Sequence, residues 1–299
     1  ISFLDSKASE FMEFRQKRLD FINDIEASFK DEVITKTGNL KEQWKGKIVL
    51  QKHPSLNIEY LGILMDTSNS LMYTSALRFK KVRQAINYSI NRPKMMLYMR
   101  NSIGTAAQNG FVPPGLPFES SNKVSGYSYN PDTAKTLLKE AGYKGEKIVL
   151  HTIFIYSSIA GFIANELQQN GINVVVETVQ KSLLFDLTAK GRSAFFRASW
   201  IADYPDAENF LSVFYGKNPA PPNYTRYKNP KFDALYENAM QQTDDKKRYA
   251  LYREMDQLVM DDAPVVPLWY DMALHLVQPG VKNFFPNSLN MLELRKVKK

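Results

Sequence analysis

The sequence predicts an α/β fold, and three observations support that prediction. The chain has 299 residues, of which 44% are hydrophobic and 23% are charged, as in an ordinary globular protein with a sizeable core. Helical and strand-like patterns alternate along the whole length. Within residues 147–200 the order is strand, helix, strand, helix, strand, which implies crossover connections and a largely parallel sheet.

The first 65 residues are predicted to contain two helices and two strands. Asp5 can cap the first helix, and the second helix is predicted to run from Asp24 toward Gly38, because glycine commonly follows a helix end. The two strands are predicted at 47–50 and 60–65, which are short runs dominated by apolar side chains.

Further along the chain, helix starts are marked by residues that can cap free backbone amides. Residues 78–90 repeat apolar side chains at helical spacing, and Asn130-Pro131 and Asn229-Pro230 each place a capping Asn before a proline suited to the first turn. The run Thr243-Asp244-Asp245 begins another predicted helix. Further strands are predicted at 147–154, 172–179, 194–200 and 265–269.

The composition excludes several classes of protein. The chain has no cysteine, which rules out disulfide scaffolds, iron–sulfur clusters, thiolate zinc sites and cysteine nucleophiles. No stretch approaches the roughly 18 consecutive apolar residues of a membrane span. The net charge of +8 is spread thinly apart from a basic cluster within 271–299, unlike the concentrated stripe of a nucleic-acid-binding surface. Nucleic acid is therefore not expected as a partner.

The sequence lacks the motifs that mark common catalytic sites. It contains no Gly-x-Gly-x-x-Gly, Gly-x-x-x-x-Gly-Lys-Ser/Thr, His-Glu-x-x-His or Gly-x-Ser-x-Gly pattern. The three histidines, His53, His151 and His275, are far apart in sequence and have no neighbour at metal-ligand spacing. We therefore expect a protein that is not an enzyme and that holds neither a metal nor another cofactor.

One segment has the composition of a ligand site. A predicted strand carries Arg197, Trp200 and Asp203 toward its C-terminal end, where the chain turns at Tyr204-Pro205. Ligands bind at that end of the strands in open parallel sheets. An aromatic ring beside a carboxylate there suits a ligand with an apolar body and a cationic group. The alternative is structural, with Trp200 buried and Asp203 capping the following helix.

Several segments, taken in order, form a pattern along most of the chain. They are 78–92 (RFKKVRQAINYSINR), 104–106 (GTA), 111–115 (FVPPG), 127–143, 200–211 (WIADYPDAENFL) and 227–233 (YKNPKFD). Together they resemble the family 5 extracellular solute-binding proteins, the oligopeptide- and dipeptide-binding components of ABC importers, and 78–92 is similar to the hallmark helix of that family. The resemblance covers about residues 58–280, and residues 1–57 are similar only loosely.

The resemblance implies a type II periplasmic-binding-protein-like lobe with a mixed, largely parallel sheet, plus part of a second lobe. Residues 1–72 would belong to the first lobe, 73–270 would form the C-terminal ligand-binding lobe, and 271–299 would return to the first lobe. Family members are considerably longer, so the chain is expected to be the C-terminal portion of such a protein. The implied location is periplasmic or at the cell surface, with any membrane anchor upstream of this chain.

The resemblance also implies roles for single residues. In peptide-binding relatives the Asp of the Trp-x-x-Asp motif, here Asp203, pairs with the α-ammonium group of the peptide, and the Trp, here Trp200, lines the pocket. Arg197 would lie in the same cleft wall and serve ligand carboxylates. A second ligand-binding Arg of some relatives is replaced here by Thr188, so carboxylate recognition and peptide length stay open.

The implied function is capture of peptides in a cleft between two lobes and delivery to ABC permease subunits. Relatives also bind oligosaccharides, nickel complexes or haem, so a non-peptide solute is the first alternative. A signalling or partner-binding protein of the same fold is another alternative, and an enzyme ranks third because the chain offers no catalytic constellation.

Overall fold

A seven-stranded sheet lies at the centre of the computed structural model, which describes residues 4, 6–25, 27–117 and 124–299. The strands are β1 (Phe21–Asn23), β2 (Val49–Ile63), β3 (Thr105–Ala106), β4 (Ile148–Ile153), β5 (Val174–Val179), β6 (Phe195–Ile201) and β7 (Val265–Val277). Their order across the sheet is β1-β7-β2-β6-β4-β5, and β3 also pairs with β7.

Eleven α-helices are present in the part of the chain that the structure describes. They are α1 (Lys7–Arg15), α2 (Ala27–Val33), α3 (Ser70–Tyr73), α4 (Lys80–Ser89), α5 (Arg92–Arg100), α6 (Pro131–Glu140), α7 (Ser157–Gln169), α8 (Lys181–Ala189), α9 (Ala207–Leu211), α10 (Pro230–Gln241) and α11 (Asp245–Asp262). None of the described helices is long and apolar enough to cross a membrane.

The predicted α/β class and the crossovers over 147–200 are confirmed. Strand β4 pairs in parallel with both β5 and β6, and helices α7 and α8 make the two crossovers. The sheet is mixed, because β2 pairs antiparallel with β6 and with β7, and β1 and β3 pair antiparallel with β7. Parallel pairing is thus confined to β4, β5 and β6, and the expectation of a largely parallel sheet is wrong, because most of the strand pairs are antiparallel.

Strand β2 replaces the two separate strands predicted at 47–50 and 60–65. It runs without interruption over Val49–Ile63 and pairs with β7 along most of that length. Pro54 lies where the pairing register shifts, between Pro54 and Ile58. A proline lacks the backbone N–H that a regular ladder needs, so such an irregularity is where a strand accommodates one.

The predicted helix starts are largely confirmed. Asn130, Asn229 and Asp244 each accept a hydrogen bond from a backbone N–H in the first turn of α6, α10 and α11. The helix predicted from Asp24 is shorter than expected, because Asp24 has a φ of +66°, which a helix does not permit. The expected cap at Asp5 lies outside the described residues, and the side chain of Ser6 caps α1.

The buried side chains form separate clusters on the two faces and at one end of the sheet. One cluster packs α4, α5 and α7 against the sheet, and a second packs α9, α10 and α11 against it. A third cluster joins α1, α2 and β1 to the ends of β2 and β7. The chain therefore passes from one core to another within these two long strands. The proposed boundaries near residues 72 and 270 stay predictions.

The segment 78–92 contains two buried arginines that bind backbone carbonyl oxygens. The guanidinium group of Arg83 donates to the carbonyl oxygens of Asp262 and Ala263, which end helix α11, and to two carbonyls just before α4. Arg92 is almost completely buried and donates to carbonyl oxygens of Pro267, Asn87 and Tyr127. Burial lowers the pKa of both arginines to about 10. These arginines hold the lobe together.

The loop around residue 110 is held by a carboxylate from helix α11. Asp256 is buried, and its carboxylate accepts hydrogen bonds from the backbone N–H groups of Phe111 (2.7 Å) and Val112 (3.3 Å). Gly110 makes this approach possible, because a Cβ atom at that position would lie 2.0 Å from Oδ2 of Asp256. Burial raises the pKa of Asp256 to about 7, while the two N–H donors act in the opposite direction.

Replacing this carboxylate should destabilise the protein substantially. We expect Asp256→Ala to lower the free energy of unfolding by about 3 kcal/mol, because two buried N–H groups lose their acceptor. Asp261→Ala, an exposed position on the same helix, should cost less than about 1 kcal/mol. Urea unfolding followed by circular dichroism measures both values, and equal losses for the two variants would contradict the assigned role of Asp256.

Two of the three histidines meet on the paired long strands. The rings of His53 on β2 and His275 on β7 lie 6.4 Å apart, and His275 also packs edge-on against Phe284. His275 is completely buried, and neither ring nitrogen has a hydrogen-bond partner among the described residues. Burial, and secondly the nearby His53, lower the pKa of His275 to about 4, with Asp24 opposing the shift.

This histidine should make stability depend on pH. Between about pH 6.5 and pH 4 the unfolded chain protonates His275 while the folded chain keeps it neutral, so folding loses stability as the pH falls. Relative to His275→Gln, the wild type should lose up to about 3 kcal/mol between pH 7.5 and pH 4. Denaturant titrations of both proteins across this range give the difference, and parallel pH profiles would show that His275 does not cause the effect.

Candidate ligand-binding site

The carboxyl end of β6 presents an aromatic ring and a free carboxylate. Trp200 is partly buried, and its indole Nε1–H donates to Oδ1 of Asn209 at 2.9 Å. The backbone N–H of Asp203 donates to the same oxygen at 3.3 Å. The carboxylate of Asp203 is exposed and makes no hydrogen bond or ion pair with any described residue. The end of β6 therefore offers an anchored ring and, three residues further on, an exposed carboxylate.

The alternative role of Asp203 as a helix cap is wrong. Helix α9 is capped by Asp206, whose carboxylate accepts a hydrogen bond from the N–H of Glu208 at 2.9 Å. Asp206 has the extended backbone of a cap residue and is also ion-paired with Arg248 at 3.4 Å. Since Asp206 fulfils the capping role, the carboxylate of Asp203 has no structural partner in its own surroundings.

Arg197 lies apart from Trp200. Side chains alternate along a strand, so Arg197 points to one face of the sheet, toward Glu59 and Tyr156, while Trp200 points to the other, toward the second cluster. The guanidinium group of Arg197 is ion-paired with the carboxylate of Glu59 on the adjacent strand β2. The ring of Tyr156 covers it at 3.7 Å from the ring centroid. The structure thus brings Trp200 and Asp203 together but not Arg197 with them.

A second ion pair lies close to the first. Nη2 of Arg100, at the end of α5, is 2.7 Å from Oδ1 of Asp271 on β7, and the guanidinium group lies 5.0 Å from the ring centre of Trp269. We call Glu59, Arg100, Arg197 and Asp271 the four-charge cluster; it contains two positive and two negative groups. Burial raises the pKa of Glu59 to about 7, while Arg197 opposes this shift and Asp271 adds to it.

Residues that the sequence analysis missed lie at the carboxyl end of β4. The side chains of Phe154 and Ile155 are 81% and 78% exposed, unusually high values for large apolar groups, and Ile201 at the end of β6 is 61% exposed. The predicted strand 147–154 ended at these residues, so the signal was present as an apolar run reaching the ligand-binding end of the sheet. All three residues lie at or just beyond the carboxyl ends of β4 and β6, two strands that pair in parallel.

Thr188 and His151 have local partners. Thr188 is buried in α8, where its hydroxyl donates to the carbonyl oxygen of Leu184 at 2.9 Å, so it supports the helix. Within the described ranges no group of three or more metal-ligating side chains is present, and His151 lies apart from the other histidines, 2.8 Å from the hydroxyl of Ser193.

The mixed α/β fold is that of the type II periplasmic binding proteins, and comparison with known proteins identifies the family. The chain belongs to the bacterial extracellular solute-binding proteins, family 5, whose model matches residues 1–222. The match includes residues 1–57, for which the sequence analysis expected only a loose similarity. The paired strands β1, β2 and β7 make this N-terminal segment part of the same sheet.

Individual relatives show what kinds of solute-binding protein this chain is similar to. It is 26% identical over 252 residues to the dipeptide-binding protein of Escherichia coli, covering 81% of this chain and 45% of that protein. It is 25% identical over 247 residues to heme-binding protein A of Haemophilus influenzae, covering 80% and 44%. The chain thus spans under half the length of both relatives.

A solved structure supports the fold. The periplasmic binding protein DppA from Helicobacter pylori, solved in complex with the peptide STSA, superimposes with a TM-score of 0.78 at 24% identity, over 94% of this chain and 52% of that one. This likeness confirms the type II binding-protein fold expected from the sequence.

Proposed function

We propose that this chain forms the ligand-binding lobe of an extracytoplasmic ABC-importer component that binds peptides, with Asp203 as the partner of the ligand's ammonium group. The observation that carries the proposal is the exposed, unpaired carboxylate of Asp203 at the carboxyl end of β6. A charge-assisted hydrogen bond between this carboxylate and an ammonium group becomes stronger once lobe closure removes water.

The surroundings of Asp203 fit a peptide. Trp200 is held in place by Asn209 and gives the ligand a flat apolar contact. Phe154, Ile155 and Ile201 offer further apolar surface at the same edge of the sheet, where side chains of varied shape can pack without specific hydrogen bonds. These features support a site that binds the amine specifically and accommodates varied side chains in the rest of the ligand.

Membership of a solute-binding family supports transport rather than catalysis. In this proposal the ligand is delivered to ABC permease subunits outside the cytoplasm, as the periplasmic setting of relatives such as the DppA structure suggests. The protein would act without an enzymatic step and without a resident cofactor.

Native mass spectrometry of the full-length protein tests this proposal. The protein is incubated with a pool of two- to six-residue peptides, each present with a free and with an acetylated N-terminus. We expect retention of free peptides and no retention of the acetylated ones, because acetylation removes the ammonium that Asp203 would pair with. Equal retention of both forms, or an empty protein that binds haem instead, would contradict the proposal.

A further inference from the structure

Arg197 lies on the same strand as Trp200, and the structure gives it an internal partner. Its guanidinium group is ion-paired with Glu59, and their side chains are only 15% and 6% exposed. The two residues are diagonal neighbours on adjacent strands, since Glu59 lies opposite Ser199 and Arg197 lies opposite Leu61. The backbone pairing therefore fixes their approach.

Two further features limit access to the pair. The ring of Tyr156 lies over the guanidinium group, and the Tyr156 hydroxyl donates to Oε1 of Glu59 at 3.4 Å. The cavity that adjoins Glu59, Arg197 and Trp269 has a volume of about 10 Å³, the space of roughly one water molecule. A ligand carboxylate has no room beside the inner side of this guanidinium.

The neighbouring charges are balanced as well. Arg100 is paired with Asp271, and the amide of Asn57 donates to the other carboxylate oxygen of Asp271 at 3.2 Å. The four-charge cluster is therefore neutral when all its members are ionised. The carboxylate of Asp203, just beyond the end of β6, has no such partner among the described residues.

We propose that Glu59 is a specificity-determining residue: by occupying Arg197 it makes the site recognise the amine of a ligand and ignore its carboxylate. This inference rests on the proposed function and narrows its ligand class. The ligands would be amine-bearing peptides or peptide-like solutes whose far end is free, amidated or extended. A carboxylate that did approach Arg197 would have to displace Glu59 and leave a buried anion unpaired.

The test compares two forms of one ligand in the full-length protein. A peptide retained from the pool described above is synthesised as the free acid and as the C-terminal amide, and calorimetry gives both dissociation constants. We expect the wild type to bind the two forms within about threefold of each other. Glu59→Gln should release Arg197 and make the acid bind at least about tenfold more tightly than the amide, as for a newly available charge pair.

A double variant identifies the source of that preference. Glu59→Gln combined with Arg197→Met removes both charges, so the ratio of the two dissociation constants should return to the wild-type value. A ratio that stays high would overturn the inference, because the preference would not come from Arg197. The wild-type ratio is decisive even if the single variant does not fold: a tenfold or larger preference for the acid overturns the inference. Absence of retained peptides would instead refute the proposed function itself.

Discussion

Asp203→Asn is expected to weaken binding of a peptide with a free N-terminus by about 2–4 kcal/mol, or roughly 30- to 700-fold in Kd. Asparagine is close in shape to aspartate but carries no charge, so the ligand's ammonium would be left without a counter-ion in the closed cleft. Isothermal titration calorimetry on the full-length protein measures the change.

Asp206→Asn is the matched control for that substitution. It removes a carboxylate three residues further along the chain, and asparagine still caps α9, because it is as good an N-cap residue as aspartate. We expect its Kd to stay within about threefold of the wild type. If both variants weaken binding equally, the effect is a general change of charge near the cleft, and Asp203 is not the specific partner of the ammonium.

Arg92→Ala is expected to lower the free energy of unfolding by about 3–5 kcal/mol. The substitution removes a buried guanidinium and leaves the carbonyl oxygens of Pro267, Asn87 and Tyr127 without their donor. Arg92→Lys should also be costly, because a single ammonium cannot reproduce the fork of the guanidinium. Denaturant titration of the variants gives the magnitudes.

Arg18→Ala provides the comparison for a surface arginine. Arg18 is exposed and ion-paired with Glu13 at 3.0 Å, so its loss should cost less than about 1 kcal/mol. Losses of similar size for Arg18→Ala and Arg92→Ala would mean that the carbonyl contacts of Arg92 contribute little.

Local patterns were sufficient to predict the crossover unit and most helix starts. The Asn-Pro pairs before α6 and α10 are short-range signals, since the cap, the proline and the bonded amide all lie within one turn. The single long strand β2 could not be predicted from its own residues, because its course through Pro54 depends on pairing with β7, more than 200 residues away. Long-range pairing of this kind leaves no local signal.

In the candidate site, too, some features follow from the local sequence and others depend on contacts with distant residues. The segment Trp200–Asp203 was predicted because aromatic and acidic residues follow an apolar strand directly. The partner of Arg197 was not predicted, since Glu59 is 138 residues away and is brought to it by the pairing of β2 with β6. The face to which Arg197 points also follows from that pairing. Residue type thus indicates the candidate segment, whereas tertiary contacts determine which of its charged groups have a partner.

The contact between Gly110 and Asp256 has an evolutionary consequence. Any side chain at position 110 would expel the carboxylate from the loop, and without the carboxylate nothing requires a glycine there. The two positions should therefore covary among related chains, with a substitution at one accompanied by a substitution at the other. A loop and a helix separated by 145 residues in sequence would in this way evolve together.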